Sequence, residues 1–237
     1  MRINRILCLI LLFSIVFSAT GCKKKSSGIP IQFTEGSGTN VARISFKDYG
    51  SIDIRLFENY APSAVQSFIS LAEQGYYNGK TVKSVIKDYC VLVGEASDSN
   101  SANTSSKSFD AELSSELFPF EGALCITEGS NISCEQFMLI TSGKDFLSNL
   151  KELLSYKKVT PAEYYENAYG TKLSEEQLKL YDEYGGTPWL YGHCIIFGQV
   201  YEGFDVLKKL NLIEINEEAD ELYSPLEDVV IEYIEIK

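Results

Sequence analysis

The sequence is poor in the residues that metal sites and nucleic-acid interfaces need. It contains one histidine, His193, and its six cysteines form no C-x-x-C pair, so the usual zinc-binding patterns are absent. The net charge is −12 and the pI is about 4.6, whereas a nucleic-acid-binding domain carries a basic surface. No nucleophilic triad and no phosphate-binding glycine loop is recognisable. We therefore expect no metal, no cofactor and no nucleic-acid partner.

Beyond its N-terminus, the chain also lacks an apolar run long enough to cross a membrane. Within residues 1–21, Arg2 and Arg5 precede the apolar residues 6–17, a pattern typical of a secretory signal peptide. Ala19-Thr20-Gly21-Cys22 resembles a bacterial lipobox, whose cysteine is lipidated and becomes the new N-terminus. Ordinary cleavage nearby, with Cys22 left as a free thiol, is the alternative. Removal of residues 1–21 takes away two cationic and no acidic side chains and changes the net charge from −12 to −14.

Residues 22–39 are predicted to form a tether. Lys23-Lys24-Lys25 leads into a Ser/Gly-rich stretch, which is typical of a flexible linker. Three lysines also favour anionic lipid by about 1 kcal/mol each, although a solvated spacer explains them equally well. Together these features predict an extracytoplasmic domain that a lipid on Cys22 anchors to the cell membrane of a bacterium. An outer-membrane or periplasmic location stays open.

The rest of the chain, residues 40–237, is predicted to be mainly β. Alternating apolar residues bounded by turn residues predict eight strands. Pro62 is expected to open a helix that Gly75 ends, and a short helix is expected at residues 204–210. The predicted strands are residues 41–46, 51–57, 81–86, 89–93, 122–127, 136–141, 195–200 and 229–236. Many short strands with few helices favour an antiparallel barrel or sandwich.

Residues 143–188 break this β pattern. Apolar residues from Phe146 to Leu154 recur at helical spacing. Thr160-Pro161-Ala162-Glu163 and Ser174-Glu175-Glu176-Gln177 are two capping boxes, and each helix that they open ends at a glycine. The segment is therefore predicted to be a helical insert of three pieces.

The cysteines of the predicted domain are Cys90, Cys125, Cys134 and Cys194. Buried free thiols are the expectation for such residues, because cysteine behaves as a small apolar side chain. An extracytoplasmic location also permits a disulfide, but the spacing alone does not pair these residues.

Four stretches of the sequence resemble the cyclophilin-type peptidyl-prolyl cis-trans isomerases. They are GSIDIRLFENYAPSAVQSFISLAEQGYYNGKTVKSVI, GALCITEGSNISCEQFMLIT, PWLYGHCIIFGQVYEGFDVLKKL and the C-terminal strand. The helix-to-turn part of the first stretch, AP...F..L...GYYNG, is quite specific. The resemblance covers about residues 40–237 apart from the insert. It implies an eight-stranded antiparallel barrel capped by two helices, which binds proline-containing or unfolded polypeptide segments and isomerises prolyl bonds.

The same resemblance shows where this chain departs from the family. After the glycine-containing turn the family carries Phe-His-Arg, and here Val82, Lys83 and Ser84 hold those places. The family's Arg donates towards the prolyl nitrogen and so lowers a rotation barrier of about 18–20 kcal/mol. Ser84 is short and neutral and cannot do this. Lys83 is expected to face away, because neighbouring strand residues point to opposite faces. Arg43 and Arg55 lie on the first hairpin, so rescue by either is not expected.

The predicted peptide site combines retained apolar residues with further replacements. By the resemblance, Cys90 replaces a pocket Met, Leu92 a groove Gln, Met138 a Phe and Cys194 a groove His. For the retained aromatic residues, core packing explains the sequence equally well. The full predicted set is Val82, Ser84, Tyr89, Cys90, Leu92, Ile126, Thr127, Gln136, Phe137, Met138, Trp189, Leu190 and Cys194.

Three functions are open at this point. The first is a membrane-anchored cyclophilin-like protein that binds proline-containing segments with weak or lost catalysis. The second is a fully active isomerase that assists the folding of secreted proteins. The third is a non-catalytic interaction module whose surface is the insert, which enters just before Trp189. The insert carries Tyr156, Tyr164, Tyr165, Tyr169, Tyr181 and Tyr184, and their packing onto the barrel is the competing interpretation.

Overall fold

The computed structural model describes residues 28–38, 40–94, 108–127, 132–216 and 223–237. The predicted signal peptide and Cys22 lie outside these residues. Within the described ranges, no helix has both the length and the apolar character needed to cross a membrane.

Eight antiparallel strands form one sheet that curls into a half-barrel. The eight strands are β1 (Asn40–Phe46), β2 (Gly50–Leu56), β3 (Val82–Ile86), β4 (Cys90–Gly94), β5 (Ala123–Thr127), β6 (Gln136–Ile140), β7 (Cys194–Glu202) and β10 (Ile231–Ile236). Their order across the sheet is β10-β1-β2-β7-β5-β6-β4-β3. A separate two-stranded ribbon, β8 (Ile215–Asn216) with β9 (Ser224–Pro225), was not predicted. The predicted eight-stranded antiparallel architecture is confirmed.

The alternation of apolar residues determines where the core lies. On the β1–β2 hairpin, Ile44 pairs with Ile52 and Ala42 with Ile54, and all four side chains are fully buried. Each pair points to the same face because directly opposite residues of neighbouring strands do so. The outermost strands meet through the turn before β3 and the residues leading into β10, where the Ile231 amide donates to the Lys80 carbonyl over 2.8 Å. The apolar faces therefore enclose one interior core.

Two helices cover the ends of this core. Helix α1 (Pro62–Glu73) begins with proline at its first position, where the missing N–H has no helical partner to lose. Its Phe68 ring lies 5.6 Å from Phe137 and 5.4 Å from Phe197, centroid to centroid. Helix α5 (Phe204–Asn211) buries Val206, Leu207 and Leu210 on one face. Each such buried side chain contributes about 1.5–3 kcal/mol to folding.

The insert forms the three expected helices, α2 (Lys144–Tyr156), α3 (Pro161–Tyr169) and α4 (Glu175–Tyr184). Both capping boxes are present. The Glu163 amide donates to Thr160 Oγ1 over 3.2 Å, and the Thr160 amide donates to the Glu163 carboxylate over 2.9 Å. Ser174 and Gln177 make the equivalent pair at the start of α4. These local signals explain why the insert was predictable from sequence.

The insert packs on the barrel through an aromatic cluster. Of its tyrosines, Tyr165 and Tyr181 are buried, while Tyr169 is 46% and Tyr156 is 88% exposed. Some of the tyrosines therefore pack the insert onto the barrel and others are exposed. Neither packing alone nor an exposed interaction surface alone accounts for all of them. The buried members of the cluster are Phe118, Phe120, Leu147, Tyr165, Leu173 and Tyr181.

The segment predicted as a tether is already packed at its C-terminal end. The buried Gln32 amide donates to the Phe118 carbonyl over 2.8 Å and to Gln199 Oε1 over 2.9 Å, and its oxygen accepts from the Phe118 amide. Phe33 stacks on Tyr184 of α4 with a centroid separation of 4.4 Å. Gln32 and Phe33, which lie within the predicted tether, therefore pack against the domain.

Candidate peptide-binding site

The outer face of the sheet carries a continuous row of site residues. Ser84 on β3 lies opposite Leu92 on β4, Leu92 lies opposite Met138 on β6, and Met138 lies opposite Cys125 on β5. Opposite residues share a face, so the four side chains follow one another across the sheet. Ser84 and Leu92 are half-buried, whereas Met138 and Cys125 are buried. The row therefore has an apolar floor with Ser84 at its accessible end.

More of the predicted residues gather around this floor. Cys90 and Cys194 belong to the same outer cluster as Met138, with exposures of 3% and 4%. Tyr89 and Leu190 are half-buried and pack against that cluster. The structure therefore brings these predicted residues together.

Two further predicted residues lie at the margin. Gln136 is half-buried on β6, two positions from Met138 and so on the same face, and its Nε2 donates to the Gly94 carbonyl over 3.5 Å. Thr127 is exposed at the end of β5, opposite Cys194. Gln136 therefore supplies an amide near the row, while Thr127 lies at its edge.

Three predicted residues face the interior core instead of the outer face of the sheet. Val82, Ile126 and Phe137 belong to the interior core, with exposures of 3%, 7% and 1%. The structure therefore does not bring these three side chains together with the outer row, because the sheet lies between them and the outer face. Strand alternation is the reason: Phe137 lies between Gln136 and Met138 and must face inward when they face outward.

A pocket of about 520 Å³ opens beside Tyr89, Trp189 and Leu190. The Trp189 ring lies 5.7 Å from the Tyr89 ring. Burial raises the pKa of Tyr89 to about 12, and a hydrogen bond with Trp189 acts in the opposite direction, so the phenol is neutral at physiological pH. The remaining lining residues are Lys87, Asp88, Phe146, Tyr169 and His193.

The predicted peptide-binding set did not include this second group of lining residues. Phe146 and Tyr169 come from α2 and α3 of the insert, and their rings lie 6.3 and 6.0 Å from the Trp189 ring. The available signal was that the insert enters just before Trp189. That order placed the insert beside the groove but did not identify which of its residues face it.

The described arginines are engaged elsewhere. Arg43 forms an ion pair with Asp53 at 2.6 Å, and this hydrogen bond holds the pKa of Asp53 below its usual value. Arg55 donates to the Thr34 carbonyl over 3.2 Å, and its guanidinium lies 5.2 Å from the centroid of the Tyr201 ring. Arg43 lies on β1 and Arg55 lies on β2. Within the described ranges, no guanidinium therefore reaches the row that starts at Ser84.

The structure weakens the expectation, based on strand alternation, that Lys83 faces away from the groove. The β3–β4 register shifts between Val82 and Ser84, which leaves Lys83 as the extra residue of a β-bulge. Val82 and Val85, three positions apart, are both in the interior core, so alternation is interrupted between them. Strict alternation therefore does not fix the direction of the half-buried Lys83 side chain.

The four cysteines of the domain are free and buried, as expected. Burial raises the pKa of the Cys90 and Cys134 thiols to about 12 each. The pKa of Cys125 is also raised, first by its hydrogen bond with Cys194 and then by burial. In the described part of the chain, no group of three or more His, Cys, Asp or Glu residues could hold a metal ion.

The curled eight-stranded antiparallel sheet, its two covering helices and the aromatic pocket on its outer face agree with the architecture that the cyclophilin resemblance implies. The family model described as "Cyclophilin type peptidyl-prolyl cis-trans isomerase/CLD" matches residues 41–236. The chain belongs to this family.

Curated relatives and solved structures agree with this membership. A relative from Staphylococcus saprophyticus, named for peptidyl-prolyl cis-trans isomerase activity, is 30% identical over 206 residues, covering 86% of this chain and 95% of its own. A relative of the same name from Staphylococcus aureus is 29% identical over 191 residues, covering 79% and 87%. The crystal structure of a Cryptosporidium parvum cyclophilin-type isomerase superposes with a TM-score of 0.57 at 20% identity, covering 84% of this chain and 97% of that one. That likeness concerns the fold.

Proposed function

We propose that this chain is a membrane-anchored, extracytoplasmic cyclophilin that binds proline-containing polypeptide segments and isomerises them weakly or not at all. The pocket beside Tyr89, Trp189 and Leu190 is the proposed site for the prolyl ring, and the row from Ser84 to Met138 is the surface along which the peptide lies. The observation that carries the proposal is Ser84 on the outer face, with Arg43 and Arg55 both engaged elsewhere.

The chemistry of the bond explains why this replacement matters. A prolyl amide resists rotation because its nitrogen lone pair is conjugated with the carbonyl, and a donor aimed at that nitrogen reduces the conjugation. A hydrogen bond to a charged group is worth about 1.5–3 kcal/mol, which corresponds to roughly 10- to 150-fold in rate. The Ser84 hydroxyl is neutral and its side chain is several atoms shorter than an arginine.

Some acceleration is still compatible with this surface. A twisted amide is less polar than a planar one, so an apolar pocket that excludes water favours it. The floor of Met138, Cys90 and Cys194 is apolar and buried. Gln136 can offer an amide hydrogen bond to the peptide and so position it.

The proposed location rests on the N-terminal sequence. Arg2 and Arg5, the apolar residues 6–17 and the lipobox-like Ala19-Thr20-Gly21-Cys22 support export and lipidation. Metabolic labelling with a palmitate analogue tests this directly. The chain should take up label and the Cys22→Ala variant should not; equal labelling of both would contradict the lipid anchor.

Peptide binding is tested with the sole tryptophan, Trp189, as the reporter. Titration of the purified chain with an Ala-Pro peptide should change Trp189 fluorescence, and the matched Ala-Ala peptide should not. Equal responses to the two peptides, or no response to either, would contradict a prolyl site at this pocket.

A fully active isomerase is the second candidate, and the β-bulge at Lys83 favours it. If the bulge turns the Lys83 ammonium towards the groove, a cation other than arginine lies beside the peptide. The Lys83→Ala variant separates the two proposals. A large loss of isomerase rate in this variant would support the second candidate, whereas an unchanged low rate supports weak catalysis.

A further inference from the structure

We infer that the helical insert supplies an aromatic subsite which selects prolyl segments with an aromatic residue next to the proline. This inference rests on the proposed peptide site and adds a substrate preference to it. The residues that would carry the preference are Phe146 of α2 and Tyr169 of α3.

The pocket is larger than a prolyl ring requires. A pyrrolidine ring adds three carbons to the backbone, which need on the order of 100 Å³ on the scale of about 30 Å³ per water in the liquid. The pocket measures about 520 Å³. Room therefore remains for a second side chain beside the ring, on the side that the insert closes.

The pocket wall formed by Phe146, Tyr169 and Trp189 favours an aromatic side chain beside the proline of the ligand. The Tyr169 ring lies 6.0 Å from the Trp189 ring with an interplanar angle of 29°, and the Phe146 ring meets Trp189 edge-on at 6.3 Å. A ligand ring that enters the pocket can make a further offset-stacked or edge contact with these side chains, and such a contact stabilises the complex beyond apolar burial alone. Tyr169 is 46% exposed and lines the pocket, so part of its side chain is accessible to a ligand.

The charged groups at the rim give no reason to expect a charged neighbour instead. Lys87 and Asp88 have opposite charges, and the Asp88 carboxylate accepts a hydrogen bond from Asn211 Nδ2 over 3.0 Å. Apart from the tyrosine hydroxyls and the Trp189 indole N–H, the remaining polar side chain of the lining is that of the exposed His193. The lining therefore favours an uncharged ring.

The wall is held in place before a peptide arrives. Thr171, just after α3, donates its hydroxyl to the Trp189 carbonyl over 2.9 Å. The Tyr165 ring of α3 is buried and lies 6.3 Å from the Trp189 ring. A preformed wall needs little ordering on binding, so the contact of a ligand ring with it contributes to affinity.

The test compares four peptides by titration of the full chain in mild detergent, with Trp189 fluorescence as the readout. The sequences are Ala-Ala-Pro-Phe, Ala-Phe-Pro-Ala, Ala-Ala-Pro-Leu and Ala-Ala-Pro-Ala, and phenylalanine does not interfere with tryptophan emission. At least one Phe peptide should bind about threefold to tenfold more tightly than both the Leu and the Ala peptides, the range expected for an added aromatic pair.

The variants assign this preference to the insert. Tyr169→Ala should reduce the ratio of Phe-peptide to Ala-peptide affinity to about one, whatever its effect on the affinity for Ala-Ala-Pro-Ala itself, and Tyr169→Phe should keep the ratio. Tyr156→Ala is the matched control, because Tyr156 is on the insert, is 88% exposed and does not line the pocket. If Tyr169→Ala does not fold, Phe146→Leu tests the same wall with an aliphatic side chain of similar size.

The outcomes separate this inference from the proposed function. If all four peptides bind the unmodified chain equally, the inference is overturned and the prolyl site stands. If none binds, both are overturned. A preference for Phe that survives Tyr169→Ala and Phe146→Leu would also overturn the assignment to the insert.

Discussion

Restoring a guanidinium at position 84 is the perturbation that the site geometry defines best. Ser84 is half-buried at the accessible end of the outer row, directly opposite Leu92. An arginine at this position can extend along the row towards Gln136 and Met138 without entering the interior core. We therefore expect the Ser84→Arg variant to fold.

The expected gain follows from the strength of one charged hydrogen bond. Such a bond contributes about 1.5–3 kcal/mol, and each 1.36 kcal/mol changes a rate tenfold, so an ideal placement would give roughly 10- to 150-fold. The Leu92 side chain offers the new guanidinium no acceptor to orient it. We therefore expect about tenfold for Ser84→Arg and more for Ser84→Arg with Leu92→Gln.

The assay is prolyl isomerisation of a tetrapeptide, measured as kcat/KM at a temperature where the uncatalysed reaction is slow. Ser84→Lys is the matched control, because it adds a positive charge without the planar fork of donors. It should gain less than Ser84→Arg. No gain in either arginine variant, with folding and peptide affinity intact, would refute the placement of position 84 beside the prolyl bond.

Three further predictions concern the fold. Gln32→Ala leaves the buried Phe118 amide without its acceptor, so the free energy of unfolding should fall by about 1–3 kcal/mol and Tm by several degrees in a thermal melt; an unchanged Tm would show that residues 30–33 do not hold the domain. The pKa of Asp53 is lowered in the folded chain, mainly by its hydrogen bond from Arg43. The stabilisation of the folded state by the Asp53 carboxylate is therefore fully present above the unfolded pKa of about 3.9 and is lost as the pH falls through the lower folded value. Unfolding by denaturant should therefore show a smaller loss of stability below pH 4 in Asp53→Asn than in the unmodified chain, and identical pH profiles would contradict this. The buried thiols of Cys90, Cys125 and Cys134, with their raised pKa values, should react slowly with Ellman's reagent at pH 8 and rapidly in guanidinium chloride; fast labelling of these three thiols in the native chain would show that the domain opens.

Local signals made much of the fold predictable. The alternation on β1 and β2 and the capping boxes at Thr160 and Ser174 depend on neighbouring residues, so the sequence carries them directly. The packing of Gln32, within the predicted tether, was not predictable in this way. Gln32 is held by Phe118 and Gln199, which are 86 and 167 positions away in the chain.

In the candidate site, too, some residues are predictable from the sequence and others are placed only by the folded structure. Positions such as Tyr89, Leu92 and Trp189 follow from the family resemblance, and the structure gathers them on one face. Phe137 entered the predicted set as part of a contiguous motif, although alternation turns it inward. The bulge at Lys83 and the position of Tyr169 depend on strand register and on helix packing, which neither composition nor motif spacing encodes.

Weak catalysis is the central claim, and the unmodified chain tests it most directly. Exchange spectroscopy by NMR on an Ala-Pro peptide, with catalytic amounts of the full chain in mild detergent, measures cis-trans interconversion of bound and free peptide without a coupled protease. We predict that Trp189 reports binding while interconversion stays at or slightly above the uncatalysed rate, and that Ser84→Arg raises it. Interconversion in the unmodified chain as fast as in a cyclophilin that retains the arginine, measured side by side, would contradict the account.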